Sequence, residues 1–178
     1  MTKSELRRKM KSVLLSLPNR EERSRSVLEL GEFVELLDQA RMVSLYVSMP
    51  DEFDTLSVAH WLWNNGKKVC VPVFDPKMPT KAPQHRLYTE AIELNTLPSG
   101  VSFPKESESV GLHQIDFVIV PGMAFTREGL RLGRGKGFYD RMLSGFVGKT
   151  ASVCFAEQVL TRLPTDEHDQ VVQRVFVI

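Results

Sequence analysis

Residues 116–141 read DFVIVPGMAFTREGLRLGRGKGFYDR, and this stretch says most about the architecture of the protein. It begins with a short, continuous apolar run of the length of a buried strand. A glycine-rich basic loop follows, and residues 137–144 have the composition of the start of a helix. A strand that leads through such a loop into a helix predicts one unit of an α/β fold.

The centre of this stretch, residues 131–137, alternates three glycines with cationic side chains. Glycine has no Cβ, so successive backbone N–H groups can close on a ligand and form a concave anion site. Arg131, Arg134 and Lys136 add charged donors, and an arginine can hold a phosphate with two parallel hydrogen bonds. The pattern predicts a polyphosphate pocket, and Asp140 beside it is a natural Mg²⁺ ligand.

The common nucleotide-binding loops do not match this pattern. A Walker A loop would need glycine and Ser/Thr at the positions of Leu130 and Gly137. A G-x-G-x-x-G motif would end at Phe138 or Asp140, and neither is glycine. On the loop chemistry alone, a flexible, solvated basic turn therefore stays open as an alternative.

A longer run of residues around the loop resembles the signature of the 5-formyltetrahydrofolate cyclo-ligase family. The matching residues are Pro121, Gly122, Phe125, Gly129, Arg131, Leu132, Gly133, Gly135, Lys136, Gly137, Phe138, Tyr139, Asp140 and Arg141. The resemblance continues at Lys3, Leu6, Arg7, Tyr46, Val47, Ser48, Glu52, Thr55, Gly66, Lys67, Pro72, Leu163, Pro164 and Asp169. Two positions depart from the pattern: Phe138 stands where Tyr is common, and Thr126 stands where Asp is common. The second departure could change loop order or metal affinity.

The resemblance implies an activity and a set of site residues. The family converts 5-formyltetrahydrofolate and ATP into 5,10-methenyltetrahydrofolate, ADP and phosphate, with Mg²⁺, through a phosphorylated formyl oxygen. ATP would be held by Lys3, Arg7, Arg131, Leu132, Gly133, Arg134, Gly135, Lys136, Gly137, Phe138 and Tyr139. The folate would contact Val47, Glu52 and Tyr139, and the metal would bind Asp140 and Asp169. Arg134 and Lys136 are the predicted catalytic residues, since a cation aimed at the transferring phosphoryl group stabilises its charge.

When the resemblance is set aside, the same residues have simpler interpretations. Lys3 and Arg7 lie four apart on a predicted helix, where a solvated face is common. Asp169 reads as an exposed loop acid, Val47 as strand packing and Tyr139 as a core aromatic. Two other functions also remain: a non-catalytic nucleotide or RNA-binding module, and another enzyme of related fold such as a sugar-phosphate isomerase.

Bulk composition limits the functional classes. A chain of 178 residues suits one domain, here residues 1–178. The net charge of +1 argues against a general nucleic-acid or membrane binder, whereas residues 127–141 hold five cationic and two acidic side chains, a local balance of +3. The polar N-terminus has no secretory character, and Cys70 and Cys154 lie in apolar runs as buried thiols. We expect a cytoplasmic protein that acts as a monomer on a small molecule.

Periodicity predicts the order of elements. Helices are predicted at 3–17, 20–38, 54–65 and 137–144, and strands at 41–48, 68–74, 86–89, 91–94, 116–120, 150–155 and 171–178, with loops at 75–85 and 121–136. This alternation predicts an α/β three-layer sandwich with a mostly parallel, Rossmann-like central sheet.

Ligands of such sheets bind beyond the carboxyl ends of the strands. The residues that follow predicted strands here are Met49, Glu52, Pro121, Gly122 and Glu157. The four histidines, His60, His85, His113 and His168, show no metal-ligand spacing, although His85 lies in a predicted loop that could reach a substrate. Trp61 and Phe74 are predicted to be core residues.

Overall fold

The computed structural model describes residues 1–73 and 83–178. The helices in this part of the chain are α1 (Lys3–Ser16), α2 (Arg20–Arg25), α3 (Gly31–Gln39), α4 (Leu56–Asn64) and α5 (Phe138–Leu143). The strands are β1 (Met42–Ser44), β2 (Lys68–Val73), β3 (Gln84–Tyr88), β4 (Leu94–Thr96), β5 (Ser102–Pro104), β6 (Ser109–Val110), β7 (Phe117–Ile119), β8 (Ala124–Phe125), β9 (Arg131–Leu132), β10 (Lys149–Cys154) and β11 (Arg174–Val177). Short 3-10 turns lie at Ser26–Glu29, Leu112–Gln114 and Ala156–Gln158.

The central sheet has the strand order β11-β10-β7-β1-β2-β3-β6. Strands β11, β10, β7, β1 and β2 run parallel, while β3 and β6 add antiparallel pairs at one edge. The predicted mostly parallel α/β sheet is thus confirmed. Because parallel strands all end at the same edge, the loops after β1 and β7 meet there.

Both faces of the sheet are covered, so alternate strand residues enter two different cores. Val43, Val69 and Phe117 pack into a cluster with buried residues of α1, α3 and α4. Met42, Cys70 and Val118 point the other way and pack against Met142 and Leu143 of α5. Near-continuous apolar strands are expected where helices lie on both faces of a parallel sheet. The two cores and the sheet make the three layers.

Helix α1 links the first core to the glycine loop. Its start is fixed by a capping box, in which Thr2 accepts from the Glu5 N–H and Glu5 accepts from the Thr2 N–H. Leu14 near its end lies in the core beneath the sheet, whereas Leu6 and Met10 pack against residues of the two-stranded ribbon β8–β9. The first turns of α1 therefore lie beside the segment that carries the basic loop.

The predicted helix at 20–38 is wrong as one continuous element. It breaks at Leu30, whose backbone is extended, and α3 starts afresh at Gly31. Glycine is a poor residue for a helix interior, so a break at this position costs little. The break lets Val27 and Phe33 both become fully buried.

Three predicted strands and one loop also need correction. The strand at 41–48 ends after Ser44, although Val47 forms an isolated antiparallel bridge with Ser102. The strand predicted at 86–89 begins earlier, so Gln84 and His85 of the predicted loop belong to β3. Instead of 91–94, the next strand covers 94–96. Residues 75–82 of that loop lie outside the described residues.

The predicted glycine loop at 121–136 contains more structure than expected. Residues 124–125 and 131–132 pair as the antiparallel ribbon β8–β9. Gly129 closes the ribbon at a φ of +93°, and a Cβ there would lie 2.1 Å from the carbonyl oxygen of Val172. Only glycine fits this turn, and the ribbon gives the basic loop a rigid base. The remaining predicted helices and strands are present with bounds shifted by a few residues.

Candidate functional site

A cavity of about 760 Å³ lies at the carboxyl ends of β1 and β7. Its walls come from α1, the loops after β1 and β7, the basic loop with the start of α5, and the segment before β11. The lining residues are Lys3, Arg7, Tyr46, Val47, Met49, Glu52, Val101, Pro121, Gly122, Arg131, Leu132, Gly133, Arg134, Gly135, Lys136, Gly137, Phe138, Tyr139, Asp140, Arg141, Ser144, Asp166, Glu167, His168, Asp169 and Gln170. Every ATP-, folate- and metal-binding residue predicted from the sequence therefore lines this one cavity.

The basic loop presents unused hydrogen-bond donors to this cavity. Within the described parts of the chain, the backbone N–H groups of residues 133–137 donate to no protein acceptor. The Lys136 ammonium likewise has no ion pair or hydrogen bond to a described residue, and Lys136 is exposed. A run of free N–H groups beside a free cation is an anion-binding arrangement.

Helix α1 holds this loop through Arg7. The Arg7 Nε donates to the Gly133 carbonyl oxygen at 2.8 Å. Gly135 has a φ of +95°, and a Cβ on it would lie 3.1 Å from the Arg7 guanidinium carbon. Arg7 thus packs directly against the loop backbone, which combines a structural contact with a position on the cavity wall. A simple solvated face does not describe this side chain.

Lys3 ties the start of α1 to the segment before β11. Its ammonium lies 2.8 Å from Asp166 and 2.5 Å from Asp169. Burial works to lower the pKa of Lys3, but the two carboxylates outweigh it and raise that pKa. For Asp169, burial works to raise the pKa, but the hydrogen bonds that its carboxylate accepts from the Lys3 ammonium and the Asp166 N–H lower it.

Arg131 makes a second connection to the segment before β11. Its side chain is 3% exposed and donates through Nη1 and Nη2 to Oδ1 of Asp140. Nη1 also donates to the Gln170 carbonyl oxygen, and the Gln170 N–H donates to the same Asp140 oxygen. Asp140 and the segment that carries Asp169 are therefore adjacent.

The two predicted metal ligands suit Mg²⁺ only together with a ligand that supplies further oxygens. Among the described residues, no group of three or more His, Cys, Asp and Glu side chains could hold a metal. The bonds made by Asp140 all use Oδ1 and those made by Asp169 all use Oδ2. Each carboxylate keeps one oxygen without a partner in the described structure. Mg²⁺ is commonly bound by one or two carboxylates, phosphate oxygens and water, so this donor set fits the ion.

Arg134 crosses from the basic loop to the loop after β1. Its Nε donates to Glu52 Oε1 at 3.0 Å and its Nη2 to Asp51 Oδ1 at 2.6 Å. Burial raises the pKa of Glu52, and Arg134 and the Met49 N–H oppose that rise. Burial works to lower the pKa of Arg134, but the two carboxylates more than compensate and raise it.

The predicted folate and aromatic contacts come from the segment after β1 and from the start of α5. Val47 packs against the first core and also lines the cavity, so strand packing and a ligand contact are compatible here. Tyr139 packs against the second core, and burial raises its pKa strongly. Phe138 carries the Arg141 guanidinium 5.2 Å from its ring centre.

Several residues singled out in the sequence lie away from this cavity. Glu157 pairs with Arg23 at 2.8 Å, and Trp61 packs against the first core as predicted. Thr126 is buried in the turn of the ribbon and is not among the residues that line the cavity. The prediction that His85 lies in a loop that could reach a substrate is wrong, because His85 is a buried residue of β3. Phe74 lies outside the described residues.

The sequence did not indicate several residues of the site. The most important are Asp51, which pairs with Arg134, and Asp166, which pairs with Lys3. The position of Asp51 next to Glu52 was a weak indication of its role, since paired carboxylates after a strand attract cations. Cys70 and Cys154 are buried free thiols, as predicted. Over the described ranges, no helix has the length and apolar character needed to cross a membrane.

Fold and cavity together define a class: an α/β protein whose basic glycine loop faces a cleft at the carboxyl edge of a parallel sheet. A family model described as the 5-formyltetrahydrofolate cyclo-ligase family matches residues 1–178. The chain belongs to this family.

Individual relatives agree with this assignment. The 5-formyltetrahydrofolate cyclo-ligase of Mus musculus is 31% identical over 187 residues, which covers 96% of this chain and 91% of the mouse protein. The protein of the same name from Escherichia coli K12 is 32% identical over 139 residues, 73% of this chain and 74% of its own length. The NMR structure of Aquifex aeolicus 5,10-methenyltetrahydrofolate synthetase has a TM-score of 0.80 at 32% identity, covering 99% of this chain and 90% of that one.

Proposed function

We propose that this protein closes 5-formyltetrahydrofolate to 5,10-methenyltetrahydrofolate in an ATP- and Mg²⁺-dependent reaction that releases ADP and phosphate. The observation that carries the proposal is the cavity itself. The wall formed by the basic loop offers N–H groups and the Lys136 ammonium, none of which has a partner among the described residues, for an anion, and the wall formed by the segment after β1 offers Val47 and Glu52. Two different substrates can meet between these walls.

The chemistry requires an activated formyl group. The formyl oxygen of the N5 amide is a poor leaving group and its carbon a poor electrophile. Transfer of the terminal phosphoryl group of ATP to that oxygen removes both obstacles. N10 then attacks the formyl carbon and gives up its proton to solvent, the five-membered ring closes, and the C–O bond breaks with its electron pair leaving on the released phosphate.

The chain's residues supply position and charge for these steps. The N–H groups of residues 133–137 would hold phosphate oxygens, and Lys136 and Arg134 would stabilise the charge on the phosphoryl group during transfer. Lys3 and Arg7 would complete the ATP site on the α1 side. Mg²⁺, when held by Asp140 and Asp169, would neutralise part of the negative charge of the phosphates.

The folate would lie against the loop after β1. Glu52 is a largely buried acceptor that suits the N–H donors of the pterin, and Val47 forms an apolar surface beside it. Tyr139 lies at the start of α5, where it lines the cavity, and would contact the pterin ring. In this arrangement Arg134 lies between the two substrates, since it starts in the phosphate loop and ends on Glu52.

The test is a product assay by absorbance at the methenyl band. We expect absorbance to rise only when 5-formyltetrahydrofolate, ATP and Mg²⁺ are all present, and ADP to appear in equal amount. Reactions that omit one component at a time are the controls. Turnover without ATP, or no turnover with the complete mixture, would contradict the proposal.

A further inference from the structure

Asp51 is a buried carboxylate that lies behind the cavity wall. It is 6% exposed and, unlike its neighbour Glu52, does not line the cavity. Its described contact is the hydrogen bond that Oδ1 accepts from Arg134 at 2.6 Å. Its Oδ2 is buried and has no hydrogen-bond partner among the described residues. A buried charge is costly unless a partner compensates it, and here Arg134 is that partner.

The two carboxylates hold the same edge of one guanidinium. Nε donates to Glu52 and Nη2 donates to Asp51, so two bonds from separate acids fix the plane of the group. A single bond would leave it free to rotate about that contact. Nη1 donates to no residue in the described ranges and remains available to a ligand.

We propose that Asp51 is a positioning residue, which holds the Arg134 guanidinium between the basic loop and Glu52 so that Nη1 is presented to the transferring phosphoryl group. This inference rests on the proposed function. Asp51 reaches neither substrate, and its effect on the reaction passes through Arg134. A fixed donor is worth more to the transition state than a mobile one because its orientation is set before the reaction.

A kinetic double-mutant cycle tests whether Asp51 affects the reaction through Arg134. Asp51→Asn keeps the side-chain size and removes the charge, and we expect it to lower kcat on the order of 10²-fold, the effect of a small misplacement of a reacting group. In an Arg134→Ala background the same substitution should change kcat less than about twofold, because the group it positions is gone. An equal loss in both backgrounds, or full kcat for Asp51→Asn alone, would overturn the proposal.

Thermal unfolding gives a second readout that needs no substrate. Asp51→Asn should lower the Tm of the wild-type protein, since it weakens a buried pair. In the Arg134→Ala background it should instead raise the Tm, because it removes a buried charge that has lost its partner. A merely structural role for Asp51 would lower the Tm in both backgrounds, which would also overturn the proposal.

A matched control variant and the activity of the wild type distinguish failure of the proposed function from failure of the proposed role of Asp51. Glu32→Gln removes a carboxylate from the exposed Glu32–Arg174 pair and should leave kcat and the cycle unchanged. If the wild-type protein forms no methenyl product, the proposed function fails, and the unfolding cycle still decides whether Asp51 and Arg134 are coupled. If the wild type is active and the cycle is additive, only the role of Asp51 fails.

Discussion

The Arg131 guanidinium donates two hydrogen bonds to a single oxygen, Oδ1 of Asp140, at 2.9 and 2.8 Å. The same oxygen accepts the Gln170 N–H, and Arg131 also donates to the Gln170 carbonyl. One ion pair therefore joins β9, α5 and the segment before β11. The metal-binding role proposed for Asp140 depends on its other oxygen, and the role of Arg131 is in large part to hold the three elements in place.

Arg131→Ala should destabilise the protein more than an average substitution. It leaves the partly buried Asp140 carboxylate without its cation, and breaking a buried pair in this way costs about 3–5 kcal/mol. Urea unfolding at pH 7 measures the free energy of unfolding. Adding Asp140→Asn should recover part of the loss, and Arg174→Ala at the exposed pair should cost less than about 1 kcal/mol. A loss for Arg131→Ala no larger than that of the control would show that the pair is not structural.

Lys136→Ala should slow the reaction while the fold stays intact. Lys136 is exposed and its side chain pairs with no described residue, so we expect its removal to leave the described contacts of the fold intact. Loss of a cation aimed at a transferring phosphoryl group lowers kcat by about 10³-fold or more. Product formation and Tm are measured together, with Lys9→Ala on the exposed face of α1 as control. Unchanged turnover combined with a large fall in Tm would mean that the loop is structural.

Gly135→Ala should weaken nucleotide binding through the loop backbone. Its φ of +95° is unfavourable for alanine, and the added Cβ would lie 3.1 Å from the Arg7 guanidinium. Such backbone strain costs on the order of 1–3 kcal/mol, part of which the loop relieves by moving away from its ligand geometry. Calorimetry with ADP and Mg²⁺ measures the affinity. Gly145→Ala is the control, because nothing lies within 4 Å of a Cβ there; equal affinities for the two variants would contradict the expected role of the loop.

Asp169→Asn should raise the Mg²⁺ concentration needed for half-maximal turnover. The substitution removes a predicted ligand charge, and changes of this kind around bound metals cost about tenfold or more in affinity. Asp166→Asn is a close control, since Asp166 shares the contact with Lys3 but its side chain is 72% exposed. Titration of turnover with Mg²⁺ separates the two variants. If both shift the Mg²⁺ requirement alike, the effect comes from Lys3 and not from a metal ligand.

His85 should make the stability of the protein depend on pH below neutrality. Burial lowers its pKa from 6.5 to about 4. The unfolded chain therefore binds more protons between these values, so the stabilisation is complete above about pH 6.5 and is lost as the pH falls towards 4.

The size of this effect can be measured by urea unfolding. Between pH 7 and pH 5 the loss attributable to His85 is about 2 kcal/mol. His85→Leu should show a correspondingly smaller fall than the wild type, whereas the exposed His113→Gln should behave like the wild type. An identical pH dependence in wild type and His85→Leu would exclude a buried neutral histidine.

The elements predicted well are those with a strong local pattern. The apolar stripe of α1, the valine-rich β2 and the apolar run of β7 need only neighbouring residues to specify them. The break at Leu30 and the short β1 were missed because they depend on what the chain packs against. The ribbon β8–β9 was missed because its two strands have only two residues each, too few for an alternating pattern.

The sequence by itself determined the family, the α/β class and the residues that gather around the cavity, because a glycine loop with fixed cations is a local pattern. Only the tertiary structure decided how those charges pair. Lys3 meets Asp169 and Arg134 meets Asp51 across 166 and 83 positions of the chain. The physical reason is that ion pairing depends on distances between side chains in space, and those distances are set by how helices and loops pack at the edge of the sheet.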